Sequence, residues 1–263
     1  MESREIVLAL SLLFKGDIEQ ILEVITKKQY FEVSYLKEVI KNFKGNYISI
    51  FDEIYPASLR AMPKPPVVLY YKGNIDLLNK EKYQHVSFVG SRYASSENKK
   101  NVYDSAAFLS KKETVVVVSG LAKGIDTSAA YGALASGRII GIIGSGLDVY
   151  YPEENRELQD EIAEKGLLLS EYPLGSTPDR NHFPFRNRVV VGLSNVVVVG
   201  EGKNRSGTAI SVCYALESGR CLAVYPTLPN REYVNNALIK DGAFLVENGE
   251  DIFYLLDYRR KNY

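Results

Sequence analysis

Two cysteines, Cys213 and Cys221, are all that the 263 residues contain, too few for a disulfide scaffold or a four-cysteine zinc site. Histidine is equally scarce. His85 and His182 stand far apart in the chain and form no histidine-rich metal cluster without other ligands. Excess charge is missing too, with 32 Lys and Arg set against 32 Asp and Glu. The chain is therefore not coated in basic residues, although zero net charge is compatible with a local basic patch. No apolar run approaches ~20 residues, which argues against a membrane-spanning helix. The opening Met1-Glu-Ser-Arg-Glu5 is polar and mixed in charge, unlike a signal peptide, so a cytoplasmic address is the default expectation. What remains is ordinary for a soluble globular chain: 46% hydrophobic and 24% charged residues, enough for a large core without covalent staples.

The first 45 residues read as short helices. Ile18, Ile21, Leu22 and Ile25 follow a helical stripe with Asp17 and Gln20 as a capping signal. Val33, Leu36, Val39, Ile40 and Phe43 repeat the stripe, and an earlier apolar segment from Ile6 stops near Gly16. The prolines between Tyr55 and Pro66 then break any helix, which places a domain boundary there: a small helical domain over 1–62, a larger domain over 63–257 and a loose basic tail over 258–263. From Val67 onward, short β-rich runs at Val67–Tyr71, Val86–Val89, Val115–Val118, Ile139–Ile143, Leu167–Leu169, Val196–Val199 and Cys221–Tyr225 alternate with helix-length segments. Several runs lack polar alternation, as strands buried on both faces do. The expected fold is α/β: an extended Rossmann-like, doubly wound, mostly parallel sheet behind a small helical module.

In such a sheet ligands gather at the carboxyl ends of strands, and there the sequence is unusual. One run leads into Gly90-Ser91-Arg92, another into Gly120-Leu-Ala-Lys123-Gly124, a third into Gly144-Ser145-Gly146. A fourth leads into Gly200-Glu-Gly202-Lys203-Asn-Arg205-Ser206-Gly207. Glycine lets backbone approach a ligand, and helix starts with nearby cations favour an anion. The dinucleotide fingerprint fails because Val149 stands at its third glycine, and the Walker pattern fails at Val197 and Asn204. There is no G-x-S-x-G elbow and no evident partner for either histidine. Asp126, Asp148 and Glu171 are better read as braces of loops and helix starts than as acid–base groups. No catalytic set is apparent, and no metal or cofactor is expected.

The most informative stretch is Arg180-Asn-His182-Phe183-Pro184-Phe185-Arg186-Asn187-Arg188. Three arginines interleave with two phenylalanines, which suits phosphates together with an unstacked base. The competing reading is a helix opened by Pro184 whose phenylalanines fill the core, and Phe185 is expected to be structural. Both cysteines are expected in the core.

These motifs together resemble the DNA-processing protein A family, also called Smf. The resemblance runs from about Tyr55 to Asp251. It rests on Gly90-Ser-Arg92, Val117-Val-Ser-Gly-Leu-Ala-Lys-Gly-Ile-Asp126, Gly146-Leu-Asp148 with Tyr151-Pro152, Leu169-Ser-Glu171, Phe183-Pro-Phe-Arg-Asn-Arg188, Arg205-Ser-Gly207 and Ala237-Leu-Ile-Lys-Asp-Gly-Ala243. Lys123, Glu201 and Thr227 depart from the usual pattern. The resemblance implies a non-enzymatic mediator that binds and protects single-stranded DNA during natural transformation and loads the RecA recombinase. It also implies a homodimer and a sterile-alpha-motif-like character for the first helices. The family's winged-helix domain is not expected here. The implied DNA-binding residues are Gly90, Ser91, Arg92, Arg180, Phe183, Arg186, Arg188 and Lys203. The alternatives are a phosphoribohydrolase-like nucleotide-processing enzyme on a related Rossmann-like fold, and a dimeric scaffold with a vestigial pocket.

Overall fold

The structure is a computed structural model that describes residues 1–204, 206–229 and 232–262. It opens with α1 (Ser3–Leu13), α2 (Ile18–Thr26) and α3 (Val33–Ile40). Asp17 caps α2 as its spacing predicts, accepting from the backbone N–H groups of Glu19 and Gln20 and from the Gln20 side chain at 2.7 Å. The turn before it needs glycine twice over. Gly16 has φ +78°, and a Cβ there would lie 2.6 Å from the carbonyl oxygen of Glu171. The α1–α2 turn is thus pressed against a distant part of the chain.

Two strands then pair antiparallel: β1 (Asn46–Ser49) and β2 (Val68–Gly73), with Ile48 opposite Leu69. β1 was invisible in the sequence because Asn-Tyr-Ile-Ser is short and half polar. Between the two lies the single turn α4 (Ala57–Arg60). Residues on both sides of the expected boundary share one core. Val7, Leu8 and Leu10 of α1 pack with Val68 and Tyr70 of β2, and the Tyr70 hydroxyl donates to Ser11 Oγ at 2.9 Å.

Strands and helices then alternate: β3 (Gln84–Val89), α5 (Ser96–Ser110), β4 (Val115–Ser119), α6 (Ile125–Leu134), β5 (Ile139–Ile143), α7 (Arg156–Lys165), β6 (Leu167–Ser170), α8 (His182–Leu193), β7 (Val196–Val199), α9 (Gly207–Glu217), β8 (Cys221–Val224), α10 (Asn235–Lys240), β9 (Phe244–Leu245) and α11 (Gly249–Asn262). One nine-stranded sheet results, in the order β1-β2-β6-β5-β4-β3-β7-β8-β9. The run from β6 to β9 is parallel, and β2 joins β6 antiparallel. The apolar strands are explained by burial on both faces. In β4, Val115 and Val117 face the side covered by α5, α6 and α7, while Val116 and Val118 face the side covered by α8 and α9.

Two sequence expectations need correction. α11 continues to Asn262, so 258–262 form its last turns and not a loose tail; Tyr263 lies outside the described residues. Cys221 is buried in β8, but Cys213 is exposed on α9. Its helix shows only one face to the sheet, a periodicity that two cysteines cannot reveal.

The chain leaves β3 for β4 on one side and returns to β7 on the other. That reversal opens a crevice at the carboxyl ends of β3 and β7, where an open α/β sheet takes ligands.

Candidate nucleic-acid interface

The turn after β3 is held from below. The Ser91 N–H donates to the carbonyl of Glu201 beyond β7, at 2.6 Å. The buried Glu201 carboxylate accepts from the Ser95 N–H at 3.1 Å and from Asn98 Nδ2 at 2.9 Å, fixing the start of α5. Glu201 is therefore a brace, and Arg92 and Tyr93 are the exposed side chains of the turn. After β4, Ser119 Oγ donates to the carbonyl of Asp126 at 2.8 Å and accepts from the Leu121 N–H, which shapes the loop carrying exposed Lys123. That lysine is ion-paired with Glu154.

α8 supplies the other wall. His182 stacks on Tyr172 with ring centroids 3.8 Å apart, and its Nδ1 lies 3.1 Å from the carbonyl oxygen of Gly144. Phe183, half buried, stacks on Tyr151 at 4.8 Å and 29°. One turn on, Arg186 enters the protein beside Gly120. A Cβ on Gly120 would sit 1.5 Å from Arg186 Nη1 and 2.7 Å from Asp126 Oδ2, so a bare backbone is required where guanidinium and carboxylate meet. Burial pushes the Asp126 carboxyl up to about 6, with Arg186 opposing the rise. Burial also lowers Arg186, with Asp126 opposing. Nε and Nη1 of Arg186 are buried without a hydrogen-bond partner among the described residues. Buried donors are seldom left so.

Arg92, Gly120, Lys123, Gly144, Tyr151, Phe183 and Arg186 together line a cavity of about 30 Å³. The cavity joins two cationic side chains, a buried guanidinium with unused donors and a pair of stacked rings. The cavity itself has room for about one water, so a phosphate and a base would meet this set at its mouth, where Arg92 and Lys123 are exposed.

The sequence-predicted residues thus divide. Arg92, Phe183 and Arg186 line this cavity, while Gly90 and Ser91 lie behind it in the turn after β3, Gly90 against Ile125 and the Ser91 N–H held by Glu201. Arg180 is exposed in the turn before α8 and does not line the cavity. Lys203 is exposed beyond β7, 3.6 Å from Glu232 and over the ring of Tyr233 at 5.9 Å. Arg188 is not at the surface. Its two terminal nitrogens bind the carboxylate of Glu171 at 2.6 Å each, the side chains are 3% and 6% exposed, and its guanidinium lies on Phe185 at 3.9 Å. Spacing on α8 explains the split, since positions 183, 186 and 188 cannot all share one helix face. Arg205 lies outside the described residues. Tyr151 was missed: its ring meets Phe183 across 32 positions, and no local pattern marks that meeting.

A wide groove of about 990 Å³ adjoins the site, between the α1–α2 turn and residues 172–182. Its walls include Phe14, Leu174 and Phe185, with Asp17, Glu19 and Asp179 against a single Lys15 among the described residues.

Residues 46–257 match the family described as DNA recombination-mediator protein A. The DNA processing protein DprA of Streptococcus pneumoniae is 41% identical over 249 residues, covering 91% of this chain and 86% of that protein. The solved structure of DprA from the same organism superposes with a TM-score of 0.82 at 36% identity, over 96% of this chain and 98% of that one. DNA processing protein A of Helicobacter pylori, whose structure was solved for its single-stranded DNA binding mode, gives 0.73 at 30% identity, over 83% and 98%. With the family match over most of the chain and relatives above 30% identity, the chain belongs to the DNA-processing protein A (DprA/Smf) family.

Proposed function

We propose that this protein is a sequence-independent single-stranded DNA-binding mediator that shields incoming DNA during natural transformation and passes it to the RecA recombinase. In this reading it acts in the cytoplasm as a homodimer and has no turnover of its own. The observation that carries it is the convergence of Arg92, the Arg186 guanidinium, whose Nε and Nη1 have no hydrogen-bond partner among the described residues, and the Tyr151–Phe183 ring pair at the sheet's switch point. Phosphate contacts supply affinity without reading sequence, and an aromatic platform accepts any base. Gly90 and Ser91 form the turn behind Arg92, while Arg180 and Lys203 lie outside the cavity as flanking cations. The Helicobacter pylori relative is described by its single-stranded DNA binding, and the matching family is one of recombination mediators. No helix among the described residues is long and apolar enough to cross a membrane.

Oligothymidine binding followed by fluorescence anisotropy tests the reading. Arg92→Ala is expected to weaken binding with an unchanged melting temperature, and to make the log–log salt dependence shallower by roughly 0.7 for one lost phosphate contact. Strands long enough to reach two protomers should bind far more tightly than short ones. RecA filaments should form faster on strands carrying the protein. A folded Arg92→Ala protein with unaltered affinity and slope, or hydrolysis of nucleotide by the pure protein, would overturn it.

A further inference from the structure

A cavity of about 30 Å³ is too small for a base, so the bases of a bound strand must find ring faces at its mouth. The two rings already placed there have each spent one face, because Tyr151 and Phe183 stack on one another. A third ring stands beside them. Tyr93 follows Arg92 in the turn after β3 and is 88% exposed. Among the described residues no other ring and no cation is stacked on it.

An exposed tyrosine alone marks nothing, since single apolar side chains are common on protein surfaces. Tyr30, between α2 and α3, and Tyr254, on α11, are exposed as well. Tyr93 differs in how it is held and in what surrounds it. Its N–H donates to Ser91 Oγ at 3.1 Å, and the Ser91 carbonyl accepts from the Ile125 N–H at 3.3 Å. Gly124 comes so close behind that a Cβ there would lie 2.2 Å from the Ser91 carbonyl oxygen. Ala94, next in the chain, is buried. The backbone under the ring is thus fixed from both sides. A tyrosine has only two side-chain torsions, so it offers contact area at little entropic cost. Cations stand around it. Arg92 lines the cavity, and Lys123 of the facing loop interacts electrostatically with both Tyr93 and Tyr151. Tyr93 therefore shares one cationic mouth with the stacked pair, where phosphates can flank a stacked base.

We propose that Tyr93 is a second stacking platform for single-stranded DNA, taking one base on the Arg92 side of the crevice while Phe183 takes another from α8. The inference rests on the strand-binding reading above and gives that site a length of at least two bases. Tyr93→Ala should bind oligothymidine at least roughly fivefold more weakly. Its melting temperature and salt slope should not change, because no phosphate contact is lost. Tyr93→Phe keeps the ring and should bind like the wild type. On a strand of equal length built from abasic sugars, Tyr93→Ala and the wild type should bind alike, whereas Arg92→Ala should still weaken binding.

The stacked base can also be observed directly. The chain contains no tryptophan, so Tyr93→Trp places one indole at this position, and a base stacked on it quenches its emission. That protein should bind oligothymidine like the wild type and lose emission as it does so, in a Phe183→Ala background as well. Unchanged affinity of Tyr93→Ala, or unchanged emission at saturation, leaves the crevice standing and removes Tyr93 from it. An equal loss on the abasic strand would mean that the substitution had disturbed Arg92, and it overturns the stacking role. No anisotropy change with oligothymidine for any of these proteins refutes the strand-binding reading itself, and Tyr93 falls with it.

Discussion

Replacing Arg188 by methionine should unfold this protein more readily without touching the strand-binding surface. The guanidinium makes two 2.6 Å bonds to Glu171, and both side chains are almost wholly out of water. Burial lowers the Arg188 pKa, but attraction and hydrogen bonding from Glu171 outweigh it and hold the guanidinium above its ordinary value. Without the guanidinium, the carboxylate stays buried with no cation bound to it, a loss of about 3–5 kcal/mol. At about 2–4 °C per kcal/mol for chains near this size, the melting temperature should fall by roughly 6–20 °C. Glu171→Gln on its own should be comparably harmful. The double variant Glu171→Gln/Arg188→Met should recover most of the loss, since no lone charge is then buried. Differential scanning calorimetry on the four proteins gives the coupling directly, and anisotropy at low temperature gives oligothymidine affinity. If Arg188→Met melts like the wild type while strand affinity drops, Arg188 is a nucleic-acid contact and the structural argument is wrong.

The other perturbations act inside the crevice. Phe183→Ala should reduce oligothymidine affinity by about 1–3 kcal/mol while leaving the salt slope nearly unchanged, since it removes stacking and not charge; unfolding instead would mark Phe183 as a core residue. Gly120→Ala puts a methyl group where Arg186 Nη1 now lies, so its affinity should fall to that of Arg186→Ala, and an unaffected affinity would place Arg186 outside the site. Asp126 titrates near 6 in the folded protein against an ordinary 3.8. Between about pH 4 and 6 the folded state therefore holds a proton that the unfolded chain has released. This group alone makes stability fall as pH rises through that window, by about 3 kcal/mol in all. Melting curves of Asp126→Asn from pH 4 to 7 should lack that component, and a profile parallel to the wild type would show that the carboxyl is not so perturbed.

The strands were legible because each is a short apolar run between glycine turns, and the structure returns Ile139–Ile143 and Val196–Val199 with the ends the sequence gives them. Their long-range order was not, because periodicity says which residues are buried and not which strand lies beside which. β9 escaped for the same reason as β1: Phe244–Leu245 is two residues long and half exposed. At the site, Arg92 and Phe183 could be read from their motifs, because a strand-end turn and a helix start fix direction locally. Arg188 could not be separated from Arg186 without the phase of α8 and the position of Glu171, 17 residues back. Tyr151 stands in one of the motifs, but its stack on Phe183 needed the tertiary fold to be seen.

The α1–α2 turn sits against the end of β6, so the helical segment stands beside the crevice and helps form the wide groove next to it. For a polyanion at Phe183, the ways out would then differ in room. Charge does not separate them: of the groove's carboxylates Glu19 is ion-paired with Lys64, Asp17 shares its wall with Lys15, and Asp179 is followed by the exposed Arg180. Exposed charges so mixed are worth little. The α1–α2 turn would act on a departing strand as a wall, by the space it fills and not by its charge.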